Sequence, residues 1–262
     1  MKHVVISGYN SFIGNFFYKK YKNKFKISKY KKNINNSNEL KKFLYKKNIT
    51  HFINFAGLSR EKCLKNQKEC LKTNYKSTET IVDIFNNLKK KPILIFISSS
   101  HVYNNEKKKL SEKSKTNPKS LYAKLKLDSE NYIKKNYTKY SIIRLFNVFG
   151  SNQSKSHFIP DVTEKIKNRK PINIDKSIRD FIHVSEAAKA INFIINKKIH
   201  RIVNVGSGKG VSLYSVIKKI SIKLKIDPIV HIKNKKTKLV ADISLLKSKG
   251  YKTQDNEKYL NF

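Results

Sequence analysis

The chain has 262 residues, 39% of them hydrophobic, enough for one sizeable domain or a large domain with a smaller lobe. No apolar run is long enough to span a bilayer, and the chain enters an apolar stretch at His3-Val4-Val5-Ile6 with no leader-like segment before it, so a cytoplasmic protein without a membrane partner is expected. The formal charge of +40 is nearly all lysine, spread through every segment. Arginine, which grips bases and phosphates bidentately, is scarce, so solvated lysine faces are expected rather than a nucleic-acid surface. Cys63 and Cys70 lie seven apart on an expected helix, with no His or Cys at metal-ligand spacing; they read as ordinary thiols, and no metal site is expected.

In chain order, Lys2 to Ser7 reads as a strand, Phe12 to Tyr21 as a helix and Phe25 to Ser28 as a short strand. A helix over Glu39 to Lys46 and an apolar strand over His51 to Phe55 follow, then a helix from Cys63 to Asn87 broken near Thr73-Asn74. Next come the strand Ile93 to Ile97, a helix from Leu121 to about Lys135 and the strand Ser141 to Leu145. Such alternation indicates an α/β, Rossmann-like, doubly wound parallel sheet over 1–150. Beyond Gly150 the pattern loosens. Helices at Ile159 to Asn168, Val184 to Asn196 and Leu213 to Leu224, with extended Ile172 to Ile174 and Ile202 to Val205, suggest a smaller substrate-binding lobe over 151–262, with 181–205 returning to the main sheet.

The first strand runs into Ser7-Gly8-Tyr9-Asn10-Ser11-Phe12-Ile13-Gly14. Gly8 permits a tight turn, and Gly14 lets the next helix pack close, so that its amino terminus can hold a pyrophosphate. Ser11 stands where the middle glycine of such a turn is usual, and it is small enough for backbone approach. Gly8, Ser11, Phe12, Ile13 and Gly14 are therefore candidate dinucleotide-binding residues. No acid ends the second strand; Ser28, Lys29, Lys31 and Lys32 stand there instead, which favours NADP over NAD.

Two later segments carry chemistry. Ile97-Ser98-Ser99-Ser100-His101-Val102-Tyr103 closes an apolar strand, and Tyr122-Ala123-Lys124-Leu125-Lys126 places a phenol and an ammonium on one helix face. A hydroxyl to hold a carbonyl oxygen, a tyrosine to exchange its proton and a lysine to acidify the tyrosine are what carbonyl reduction needs. An ammonium about 6 Å away, at an effective dielectric of about 20, contributes roughly 2.8 kcal/mol, or about two pKa units. The same spacing recurs at Tyr18/Lys22, Tyr103/Lys107 and Tyr214/Lys218, so order and context carry the signal.

Together these segments resemble the extended short-chain dehydrogenase/reductases, the NAD-dependent epimerase/dehydratase family that acts on nucleotide-sugars. The likeness covers nearly the whole chain. Gly8 to Gly14 matches the family's glycine motif, Asn54-Phe55-Ala56-Gly57 its strand end over the cofactor, and Asn74 its asparagine on the next helix. The resemblance selects Ser99, three residues before Val102-Tyr103, as the catalytic hydroxyl, with Tyr122 and Lys126, and adds Ala56, Gly57, Asn74 and Lys126 to the cofactor contacts. Ser111-Glu112, Pro118 and Glu130 fall in the family's order. Arg144-Leu145-Phe146-Asn147-Val148-Phe149-Gly150 and Arg179-Asp180-Phe181-Ile182-His183-Val184 are similar to segments whose asparagine and arginine meet the substrate. Asn204-Val205-Gly206-Ser207-Gly208 and Asp242-Ile243-Ser244 followed by Gly250-Tyr251 match its closing segments.

The resemblance thus implies an NAD(P)-dependent nucleotide-sugar enzyme, a 4-keto-sugar reductase or sugar 4-epimerase, dimeric through the Tyr122 helix. Ser100, His101, Asn147 and Arg179 are its candidate substrate contacts. Ser100 and His101 replace the acidic pair of family dehydratases, which argues against dehydration. His101 reads as structural ahead of an acid/base role. The competing reading is a non-catalytic descendant that binds NADP or RNA; the complete Ser99, Tyr122 and Lys126 set argues against it.

Overall fold

The computed structural model describes residues 1–106 and 108–253; Lys107 and residues 254–262, the end of the expected lobe, lie outside the described residues. The chain starts with β1 (His3–Ser7), α1 (Phe12–Tyr21), β2 (Lys26–Lys29), α2 (Ser37–Tyr45) and β3 (His51–Asn54). Helices α3 (Arg60–Lys65) and α4 (Gln67–Leu71) lead through a π-helical turn (Lys72–Lys76) into α5 (Ser77–Asn86). Then come β4 (Ile93–Ser99), a 3-10 turn (Ser100–Val102), α6 (Leu121–Asn136), β5 (Tyr140–Leu145), β6 (Asn147–Phe149) and α7 (Phe158–Lys167). The remainder is β7 (Ile172–Asp175), β8 (Ile178–Arg179), β9 (Phe181–His183), α8 (Val184–Lys197), β10 (Ile202–Val205), β11 (Val211–Ser212), α9 (Leu213–Leu224), β12 (Val230–Lys233), β13 (Lys238–Leu239) and α10 (Ser244–Ser248).

Local chemistry explains these boundaries. Ser11, Asn36, Ser120 and Ser212 cap α1, α2, α6 and α9, each side chain accepting a first-turn amide hydrogen. The helix expected from Cys63 to Asn87 is broken earlier than its periodicity suggested. Ser59 caps α3 and Asn66 caps α4, accepting from Lys62 N and Glu69 N, so each starts a helix of its own. At Thr73-Asn74, where a break was expected, the helix instead widens into the π turn.

The chain forms two compact units: 1–102 with 116–144 and 191–203, and 103–115 with 145–190 and 204 onward. The first unit is organised on a six-stranded sheet in the order β10-β5-β4-β3-β1-β2, and β1 pairs parallel with β2 and β3, as β3 does with β4. Val4, Val5, Ile6, Phe52, Ile53, Leu94 and Ile95 are fully buried, as strands covered on both faces require. Helices α2, α5 and α6 pack on one face through Leu40, Leu44, Ile81, Phe85 and Ile133. Successive strands turn to opposite sides of β1, so the carboxyl ends of β1 and β3 border the crevice where doubly wound sheets take ligands. The Rossmann-like class read from the sequence is the one observed.

The second unit has a separate core of Phe149, Val162, Ile166, Ile172, Phe181, Val216, Ile217 and Ile220. Its sheets are small: β11-β8-β13, β12-β7 and β6-β9. Among the described residues, no helix is long and apolar enough to cross a membrane, and no group of His, Cys, Asp or Glu could hold a metal ion.

Candidate active site

The β1–α1 turn is built by contact. Gly8 has φ +63°, and a Cβ there would come within 2.5 Å of Ala56 N. At Gly14 a Cβ would sit 2.3 Å from Gly8 O, so the first turn of α1 lies directly on the glycine turn. Ser11 N donates to Gly8 O at 3.0 Å, and its hydroxyl accepts from Gly14 N at 3.2 Å. Ser11 in the glycine position is therefore the helix cap. Phe12 and Ile13 follow, half-buried, and α1 has no acid in its first turn and Lys19 and Lys20 in its last, so its amino terminus keeps its positive end.

Across the crevice, β3 is tied off by Asn54, whose Oδ1 accepts from Ser7 Oγ at 2.7 Å and Ala56 N at 3.2 Å. This sets Ala56 and Gly57 beside the glycine turn. A Cβ at Gly57 would lie 3.3 Å from both Asn74 Oδ1 and Lys126 Nζ. Asn74, 1% exposed, accepts from Leu58 N at 2.7 Å and donates to Leu58 O at 3.1 Å, so its amide clamps the loop after β3. The π turn supplies this reach, and Ser129 of α6 fixes it by donating to Asn74 O at 2.7 Å.

Strand β4 delivers Ser99 to the same end of the sheet, and α6 presents Tyr122 on its first turn and Lys126 one turn later. The Ser99 and Tyr122 hydroxyls are hydrogen-bonded. Burial raises the Tyr122 pKa, and the Ser99 hydrogen bond opposes that rise. The acidification expected from Lys126 is not what the geometry provides. Lys126 Nζ donates to Ile97 O at 2.9 Å and lies 4.9 Å from the Phe96 ring centroid. Burial lowers its pKa to about 8, with the Glu130 carboxylate pulling the other way. The His101 ring meets the Tyr122 ring edge-on at 6.4 Å, and His101 N donates to Ser99 Oγ at 3.2 Å. Ser100, a candidate substrate contact, is buried in the 3-10 turn.

The other two candidate substrate residues belong to the second unit. Asn147 donates to Asp180 O through N and Nδ2, both at 3.1 Å. Arg179 donates to Ile178 O at 2.9 Å, Thr237 O at 3.2 Å and Thr237 Oγ1 at 2.7 Å. Asn147 is thus tied to Asp180, which is fully buried and accepts from Ser207 N, Ser207 Oγ, Gly208 N and Ala241 N at 2.7 to 3.1 Å, while Arg179 is held by Ile178 and Thr237.

Residues 5–206 match the model of the NAD dependent epimerase/dehydratase family. The chain belongs to that family. A curated relative, dTDP-4-dehydro-6-deoxyglucose reductase of Escherichia coli, is 31% identical over 169 residues, 60% of this chain and 53% of that protein. An uncharacterized UDP-glucose epimerase of Bacillus subtilis is 28% identical over 132 residues, 47% of this chain and 42% of its own length. These matches span only about half the length of the curated relatives. Among solved structures, the UDP-N-acetylglucosamine 4-epimerase of Methanobrevibacter ruminantium is 25% identical with a TM-score of 0.86, covering 99% of this chain and 96% of that one. The Thermus thermophilus UDP-glucose 4-epimerase, solved with NAD, has the same TM-score and coverage at 16% identity, a likeness of fold.

In this family member, sequence reasoning missed the network beneath the hydroxyls. Glu130, fully buried, accepts from Ser98 Oγ at 2.5 Å, Arg144 Nε at 3.0 and 3.1 Å and Arg144 Nη2 at 2.6 Å. It ties α6 to β4 and β5. The signal was an arginine inside the apolar run Ser141 to Leu145 and a glutamate one turn after Lys126. The cysteine reading is corrected: Cys63 and Cys70 are joined in a disulfide. On one continuous helix, residues seven apart stand about 10.5 Å apart along the axis. The caps at Ser59 and Asn66 fold α3 against α4 and bring the two Cα atoms to 5.0 Å.

Proposed function

We propose that the chain is an NAD(P)-dependent nucleotide-sugar oxidoreductase or epimerase, a 4-keto-sugar reductase or sugar 4-epimerase, working in the cytoplasm. The observation that carries this reading is the hydrogen-bonded Ser99–Tyr122 hydroxyl pair with Lys126 beside it, at the sheet end that borders the glycine turn. The E. coli and M. ruminantium relatives, a dehydro-sugar reductase and a sugar 4-epimerase, support both forms of it.

The residues fit a dinucleotide. Gly8 and Gly14 let the β1–α1 turn pack directly against Ala56 and against the first turn of α1, and the capped amino terminus of α1 suits a pyrophosphate. Gly8, Ser11, Phe12, Ile13 and Gly14 would hold the phosphates, Ala56 and Gly57 the floor, with Lys126 toward the ribose and Asn74 acting by clamping Leu58. Strand β2 ends in Ser28 and Lys29 with no carboxylate, and Lys29 Nζ stands 4.4 Å from the Tyr18 ring centroid and 5.2 Å from that of Tyr9. This favours NADP.

When bound, the nicotinamide gives or takes the hydride. Ser99 holds the substrate carbonyl oxygen, and Tyr122 Oη passes its proton to that oxygen or receives it in the reverse direction. Lys126 Nζ, anchored on Ile97 O, would grip the nicotinamide ribose, and the Ser99 hydrogen bond is what opposes the rise in the Tyr122 pKa. Glu130 keeps α6 in register with β4. Asn147 and Arg179 would meet the nucleotide-sugar, with Ser100 and His101 toward the sugar ring, and a second copy would pack on the outer face of α6, around Tyr75, Asp128 and Tyr132. A thermal-shift panel of NAD(H), NADP(H) and UDP-, dTDP-, GDP- and CDP-sugars tests this. Saturation at about 100 times Kd should add about 2.7 kcal/mol of stability for the right cofactor. A flat response to all four nicotinamide nucleotides would refute it.

A further inference from the structure

The Cys63–Cys70 disulfide touches the loop clamp. Asn74 Nδ2, which donates to Leu58 O at 3.1 Å, also lies 3.4 Å from Cys63 Sγ and 3.5 Å from Cys70 Sγ. Cys63 Sγ is itself 3.9 Å from Leu58 O. The two sulfurs pack with Leu58, Tyr75, Leu121, Tyr122 and Leu125. One amide therefore faces the sulfur pair on one side and the loop beside Lys126 on the other.

We propose that Cys63 and Cys70 form a reversible thiol–disulfide site that sets the Gly57–Leu58 loop through the Asn74 amide. In the linked state the sulfurs carry no proton and only accept, which leaves Leu58 O to Asn74. A dithiol reductant attacks one sulfur through its thiolate and forms a mixed disulfide. Its second thiol then closes on the first, releasing both cysteines as thiols; two electrons and two protons pass to the protein and the reductant leaves as a disulfide. Cys63 then has an S–H within reach of Leu58 O and competes with Asn74 for that acceptor. The separated sulfurs also need more room beside Leu125 and Tyr122.

The segment is suited to opening. Helices α3 and α4 have six and five residues, too short to hold by themselves, and residues 64–68 between the cysteines are all exposed. The buried sulfurs are reached when these turns part. In a cytoplasmic setting a disulfide is a transient, signalling state rather than a staple. The effect on cofactor rests on the nicotinamide reading above; the effect on the loop does not.

The test compares the whole protein after diamide and after dithiothreitol. Maleimide labelling of the denatured chain should leave both cysteines unmodified in the first sample and modify both in the second. Hydrogen exchange at Gly57 and Leu58 should be about threefold or more faster in the reduced form. NADPH, followed by its fluorescence, should bind roughly five- to tenfold more weakly there, the loss of about one hydrogen bond. Cys63→Ser/Cys70→Ser should exchange like the reduced form and ignore both reagents. Full labelling after diamide, or identical exchange at Leu58 in the two wild-type states, overturns the proposal. Failure of NADPH to bind in either state refutes the nicotinamide reading alone, and the exchange rates then support or overturn the redox site without it.

Discussion

Among the described residues, two carboxylates are completely buried, Glu130 in the first unit and Asp180 in the second, and they are stabilised by different means. Glu130 is met by the Arg144 guanidinium and the Ser98 hydroxyl, groups from two strands, and so locks a helix to a sheet. Asp180 is met by the amides of Ser207, Gly208 and Ala241 and the Ser207 hydroxyl, and so gathers loops. Burial still raises the Asp180 pKa against those hydrogen bonds. A charge that must set the angle of a working helix is paired with another charge. One that only has to draw backbone together is surrounded by amides.

The largest expected effect tests whether the Glu130 side serves chemistry at all. Tyr122→Phe should lower kcat by about a thousandfold or more while cofactor affinity stays within about twofold, since a positioned acid–base group contributes roughly 10² to 10⁴ and nothing replaces it here. Stopped-flow turnover beside a binding titration checks this, and full activity would remove Tyr122 from the reaction. Next, Glu130→Gln strands the Arg144 charge and should cost about 4 kcal/mol in urea unfolding. It also removes the carboxylate that raises the Lys126 pKa, so the alkaline limb of kcat/KM, set near pH 8 by that lysine, should move to lower pH. Asp180→Asn turns an NH2 toward amide donors and should cost about 3 kcal/mol without moving that limb. If both substitutions shift the profile alike, the contrast between the two carboxylates is wrong.

A fourth effect lies at the far end of the sheet. His51 is 4% exposed, its Nε2 has no hydrogen-bond partner among the described residues, and burial lowers its pKa to about 4. Between that value and the ordinary 6.5 the unfolded chain holds a proton that the folded chain does not. His51 therefore leaves stability intact above pH 6.5 and erodes it as pH falls toward 4, by about 2 to 3 kcal/mol in all. His51→Leu should flatten that slope in urea midpoints taken from about pH 7 to 4; an unchanged slope would assign acid sensitivity elsewhere. The smallest effect is reduction of the disulfide. It closes a short loop, and the chain-entropy estimate for its removal is about 2.5 kcal/mol, or roughly 5 to 10 °C in Tm.

Much of this was legible because it is local. Helix α1 falls on the expected Phe12 to Tyr21, and α9 on Leu213 to Leu224, since apolar period and capping serine agree there. The placement of Ser99 at a strand end and of Tyr122 and Lys126 one turn apart on a helix was legible because these are short-range features. The strands β6, β8, β9, β11 and β13 were missed because two or three residues carry no period, and β12 (Val230–Lys233) was missed with them. The work of Asn74 was hidden for another reason. Which atoms its amide meets depends on a helix that changes its winding at that residue, and on a serine fifty-five positions away.

That winding has a consequence for how this stretch tolerates change. The π turn at Lys72–Lys76 fits one residue more than an α-helical path would need. Deleting a single residue there would make the helix more regular and, by ordinary propensity, easier to form. It would also rotate Asn74 by about 100° relative to the segment after it, carrying the amide away from Leu58. A shortening that strengthens the element would disable the side chain the element exists to place.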